Sequence, residues 1–80
     1  MKVDVKLYAT LKAYAPKHIE IGESFSLELD TGSINEALSK LKIPSERAKI
    51  VMVNGIRVDD NSELMKDGDL LVIFPPIGGG

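Results

Sequence analysis

Ile50-Val51-Met52-Val53-Asn54-Gly55-Ile56-Arg57-Val58 decides how this chain folds. Two apolar runs meet at Asn54-Gly55, and both turn residues tolerate the positive φ of a type I′ turn, so the spacing predicts a β-hairpin. Ile50 to Val53 is apolar without interruption and reads as a strand covered on both faces or nearly so, with Met52 as core filler. Upstream, Ser33-Ile34-Asn35-Glu36 fits a capping box, in which the Ser33 hydroxyl accepts from a free amide and Glu36 reaches back to the cap's own amide. Ile34, Ala37, Leu38 and Leu41 then form one apolar helical stripe, which Pro44 ends. Ser45 to Ala48 has room for a short helical turn.

Further out, Val3, Val5, Leu7 and Ala9 alternate with Lys2, Asp4, Lys6 and Tyr8, a period of two that predicts a half-buried strand. Phe25, Leu27 and Leu29 alternate with Ser24, Ser26 and Glu28 in the same way, and the two strands are expected to pair antiparallel. Between them, Leu11, Tyr14 and Ala15 have helical spacing that Pro16 cuts to a turn or loop. Downstream of the hairpin, Asp59 to Ser62 is a polar loop, and Leu64-Met65 should cover a core edge. Asp67-Gly68-Asp69 turns the chain into a last strand, Leu70 to Phe74. The order ββαββ(β) gives an α+β class, a mixed sheet of about five strands packed on one main helix. With no repeat and no linker, residues 1–80 are expected to form a single domain.

Composition narrows the function. With no cysteine among 80 residues, thiolate metal sites, disulfides and cysteine nucleophiles are excluded, and a lone His18 supplies no histidine metal site. Twelve acidic and ten basic residues give a net charge of −2 with the signs interleaved, unlike the basic stripe that nucleic-acid binding requires. No apolar run approaches the roughly 20 residues of a membrane span. Met1 to Lys6 alternates charge with apolar groups, which is no signal-peptide core, so the expected compartment is the cytoplasm. Asp59-Asp60-Asn61-Ser62-Glu63 lacks the glycine and distal glutamate of a calcium loop and reads as solvated. No residue set forms a catalytic or metal constellation, so the chain is not expected to be a self-contained enzyme.

The C-terminus is the unusual part: Phe74-Pro75-Pro76-Ile77-Gly78-Gly79-Gly80. Two prolines end the last strand and stiffen the chain, and the glycines beyond carry no Cβ. The bland explanation of terminal glycines is a loose end or an expression remnant. Following directly on a strand and a proline pair, they read instead as a slim, flexible tail over about residues 75–80, able to thread a partner's tunnel and present the Gly80 carboxylate for activation.

Asp67-Gly68-Asp69-Leu70 through Gly80 closely resembles the ending of molybdopterin synthase small subunits, the MoaD-like group. Leu7-Tyr8-Ala9-Thr10-Leu11-Lys12 is similar to that group's first strand, with Lys12 in place of the usual arginine. Val51 to Gly55 resembles the hairpin shared with the thiamine-pathway, ThiS-like carriers. Gly78 stands where the group often has Ser, Thr or Ala.

The resemblance implies a β-grasp, ubiquitin-like fold and a sulfur carrier. In such carriers a partner adenylating enzyme uses ATP to activate the C-terminal carboxylate, here on Gly80 after Gly79. A sulfur-donor enzyme then leaves a thiocarboxylate there. No cofactor is bound. Phe74, Pro75, Pro76, Ile77 and Gly78 would contact the partners, with Phe74 packed at the tail's root and Ile77 entering the partner. The acceptor implied is a pterin precursor on a molybdopterin synthase large subunit, and whether the two form a heterotetramer stays open. The Phe74-Pro75-Pro76 segment favours that branch. A thiamine-type carrier, or a ubiquitin-like modifier conjugated through Gly80, stays open as an alternative.

Overall fold

The computed structural model describes residues 1–76. Its strands are β1 (Lys2–Leu7), β2 (Phe25–Glu28), β3 (Ile50–Val53), β4 (Ile56–Val58) and β5 (Leu70–Phe74), and its helix is α1 (Ile34–Leu41). Short 3-10 helices cover Ala9–Tyr14 and Ser45–Arg47. The five strands form one mixed sheet in the order β2-β1-β5-β3-β4. β1 and β5 run parallel at its centre, with Val5 opposite Leu71 and Leu7 opposite Ile73. All other pairs are antiparallel, including β1 with β2 and the β3–β4 hairpin. This is a β-grasp arrangement, the α+β class the pattern of elements predicts.

Alternation explains the core. Val3, Val5 and Leu7 face the same side as Phe25, Val51, Leu71 and Ile73, and all are buried. α1 closes that side with Ile34, Ala37 and Leu38, and Leu11, Ile19, Leu29, Ile43 and Met65 fill its margins. Asn54 and Gly55 have φ of 53° and 82°, as the tight hairpin turn requires.

Four local expectations need correction. β3 is covered on one face only: Val51 is buried, while Ile50 and Met52 lie half-buried on the outer face, so Met52 is not core filler. Leu64 is 65% exposed and only Met65 covers the core edge: Leu64 is in extended backbone bridged to Ser33, where successive side chains point to opposite faces. Ala9, expected on the inner side, is exposed, since β1 ends at Leu7 and the chain turns there with Ala9 at φ 54°. The fourth concerns α1. Ser33 Oγ does accept from Glu36 N at 3.0 Å, as a cap should. The Glu36 carboxylate, however, accepts from the backbone N–H groups of Asp30, Thr31 and Gly32 and from the Thr31 hydroxyl, not from the Ser33 amide. The loop before the helix turns three amides toward one carboxylate. Led by the Asp30 amide, these donors lower the Glu36 pKa to about 2. At its other end α1 stops before Pro44, with Lys42 in the left-handed region as the cap.

Candidate functional site at the root of the C-terminal segment

β5 delivers the chain to its C-terminal segment from the middle of the sheet. Its last residues are held on both sides: Tyr8 N donates to Ile73 O at 3.3 Å, and Lys49 N donates to Phe74 O at 3.0 Å. Phe74 is the last strand residue, Pro75 is half-buried and Pro76 is exposed. Neither proline can donate to a ladder, so the sheet ends where Pro75 begins. Ile77, Gly78, Gly79 and Gly80, on which most of the expected site rests, lie outside the described residues.

Phe74 points to the outer face, where its ring stacks on Tyr8 with centroids 4.7 Å apart and planes 15° from parallel. Such a pair contributes about 0.5–1.5 kcal/mol beyond its buried area. Gly22 also lies against Tyr8, and a Cβ there would stand 3.0 Å from the Tyr8 Cε1. Its N–H donates to Leu7 O at 3.1 Å. Glycine, tyrosine and phenylalanine from three segments thus brace the point where the chain leaves the sheet. Along the same face, Val72 lies between Lys6 and Met52, and Ile50 lies beside Phe74, all half-buried.

The segments that follow β1 and precede β3 also meet across this end. Arg47 Nη2 donates to Thr10 Oγ1 at 2.8 Å, over 37 residues of sequence. Arg47 Nε is shut off from solvent and has no acceptor among the described residues. A buried donor left so costs about 1–3 kcal/mol. The ion pairs among the described residues are Glu36 with Lys40 and Arg57 with Asp59, so Arg47 has no counter-charge there.

At the opposite end of β5, the Asn54 side chain accepts from Leu70 N and donates to Asp69. The Lys66 amide, and then Asn54, lower the Asp69 pKa. That cluster is turn architecture. The described residues contain no group of three His, Cys, Asp or Glu able to hold a metal ion, and no helix long and apolar enough to cross a membrane. His18 is exposed.

Of the expected contact residues, the structure brings Phe74 and Pro75 to the sheet's end. Tyr8, Thr10 and Arg47 were not anticipated there. The alternation in β1 signals that Tyr8 faces outward, but no local signal pairs Arg47 with Thr10.

Residues 5–80 match the model of the ThiS family. No curated protein matches the chain in sequence. Among solved structures, it is similar to a putative molybdopterin converting factor subunit 1 from Pyrococcus furiosus, at 26% identity over 96% of this chain and 99% of that one, with a TM-score of 0.68. It shares its fold with one chain in the complex of subunits 1 and 2 of molybdopterin-converting factor from Helicobacter pylori (22% identity over 100% of this chain and 100% of that one, TM-score 0.63). It also shares the fold of small archaeal modifier protein 1 from Haloferax volcanii (23% identity, 95% and 98% coverage, TM-score 0.67).

Proposed function

The chain belongs to the ThiS family, and from that premise we propose that it carries sulfur on its own C-terminus for molybdopterin synthesis. The observation that carries the reading is the family match running through Gly80, on a segment issuing from the centre of the sheet. A Gly80 carboxylate oxygen attacks the α-phosphorus of ATP on a partner adenylating enzyme, and pyrophosphate leaves. The terminal sulfur of a donor enzyme's persulfide then attacks the acyl carbon, and AMP leaves with the bonding electrons. A thiol splits the resulting acyl disulfide and frees the thiocarboxylate. Adenylation supplies the leaving group that a carboxylate lacks, and the absence of Cβ atoms at Gly79 and Gly80 removes hindrance to the attack. The outer sheet face around Phe74 is the surface offered to the partners.

The Phe74-Pro75-Pro76 segment supports molybdopterin over thiamine as the pathway, as does the likeness to the Pyrococcus furiosus subunit. A second reading, a protein modifier joined through Gly80 to a target lysine, draws support from the likeness to an archaeal modifier protein. Intact-mass measurement of the chain from its native host separates them. An oxygen-to-sulfur mass gain at Gly80 supports the carrier, Gly80-linked conjugates support the modifier, and an unchanged terminus under every growth condition refutes both.

A further inference from the structure

Among the described residues, Arg47 is a cation only half-used. The side-on edge of a guanidinium, Nε with Nη2, presents two parallel N–H groups that fit the two oxygens of a carboxylate. In this structure that edge receives one neutral oxygen, the Thr10 hydroxyl on Nη2, while Nε has no acceptor among the described residues. No described carboxylate pairs with Arg47. The site sits beside the last ladder bond of β5, since Lys49, two residues on, donates to Phe74 O. Lys12 lies in the same 3-10 helix as Thr10 and, like Lys49, has no ion pair among the described residues. Among the described residues, a chain of net charge −2 thus holds Arg47, Lys12 and Lys49 without ion pairs, Lys49 joined to the end of β5 through its backbone.

We propose that Arg47 is a docking residue that takes a carboxylate of the enzyme activating Gly80, displacing Thr10 from the guanidinium. This rests on the carrier reading above. Because Nε is shut off from solvent in the free chain, the exchange requires the guanidinium to swing outward as Thr10 lets go; it trades a neutral hydrogen bond, exposed on the Thr10 side, for a charged bidentate one through Nε and Nη2. It also orients the carrier, because the contact lies beside the residues that launch the segment to be threaded.

The test uses the full-length chain and the adenylating enzyme of the same organism, with pyrophosphate release measured against carrier concentration at several salt concentrations. Arg47→Ala is expected to raise KM about tenfold with kcat nearly unchanged, and to flatten the salt dependence of KM. Arg47→Lys, which keeps the charge and loses the fork, should recover only part of the affinity. Thr10→Val, which removes the competing acceptor, should leave KM equal or lower.

If the Arg47–Thr10 bond is only a structural clasp, Thr10→Val and Arg47→Ala will raise KM together, and the proposal is overturned. An unchanged KM and salt slope in Arg47→Ala, with its thermal unfolding still cooperative, overturns it as well. An unaltered chain that drives no pyrophosphate release refutes the carrier reading itself, a result distinct from any effect of the variants, and the Arg47 proposal falls with it.

Discussion

Gly22 lies 52 positions before Phe74 in the sequence, yet changing it should loosen the root of the C-terminal segment. Gly22→Ala adds a Cβ to a residue at φ +76°, a region that costs an L-residue about 1.5 kcal/mol. The same Cβ would stand 3.0 Å from the Tyr8 ring, which must move and surrender part of its stack on Phe74, worth about 1 kcal/mol. The sum is about 2.5 kcal/mol. For a domain of this size that lowers Tm by roughly 10–20 °C.

A double-mutant cycle isolates the ring contribution. In a Tyr8→Ala background the three atoms nearest the new Cβ are gone, so Gly22→Ala should cost mainly the backbone strain. Urea unfolding of the four proteins gives the coupling, expected at about 1 kcal/mol. Phe74 ring resonances, followed by NMR, should shift in Gly22→Ala despite the separation in sequence. Equal destabilisation by Gly22→Ala in both backgrounds, with Phe74 undisturbed, would refute the bracing of Phe74 through Tyr8.

Glu36→Gln should show a stability deficit that depends on pH. The folded pKa is about 2 against an ordinary 4.5, so the ionised group stabilises the fold fully above 4.5 and progressively less as pH falls toward 2. Chemical unfolding at neutral and acidic pH should find the deficit narrowing through that window, and a constant deficit would contradict the assigned hydrogen bonds. Ile73→Ala, at a fully buried position of the central strand, should cost about 2–5 kcal/mol in the same assay. A loss under about 1 kcal/mol would mean that β5 is not packed as described.

The sequence carried the architecture well wherever the signal was local. Alternation in β1 and β2, the stripe of α1 and the Asn54-Gly55 turn each act within a few residues, and each appears as expected. What was illegible depends on residues far apart. The outer face of β3 looked buried because Ile50 and Met52 are apolar, but no element packs over them within the described chain. Nothing local told that β1 and β5 pair in parallel, and the Tyr8–Phe74 stack follows from that pairing. Glu36 shows a subtler limit. Its spacing from Ser33 is that of a capping box, but the preceding loop offers three other amides, and they take the carboxylate. At the candidate site, Phe74 and the prolines could be read from composition. Arg47 could not, because its partner Thr10 belongs to another segment.

The parallel pairing of β1 and β5 has a mechanical consequence. β1 begins at Lys2, at one end of the sheet, and β5 stops at Phe74, at the other. Tension drawing the two chain ends apart therefore runs along the strands and loads the β1–β5 and β3–β5 ladders in shear. Their hydrogen bonds resist together and cannot be peeled away singly. A partner that pulls on the chain beyond Phe74 meets a stiff anchorage, because the load enters the sheet through its central strand.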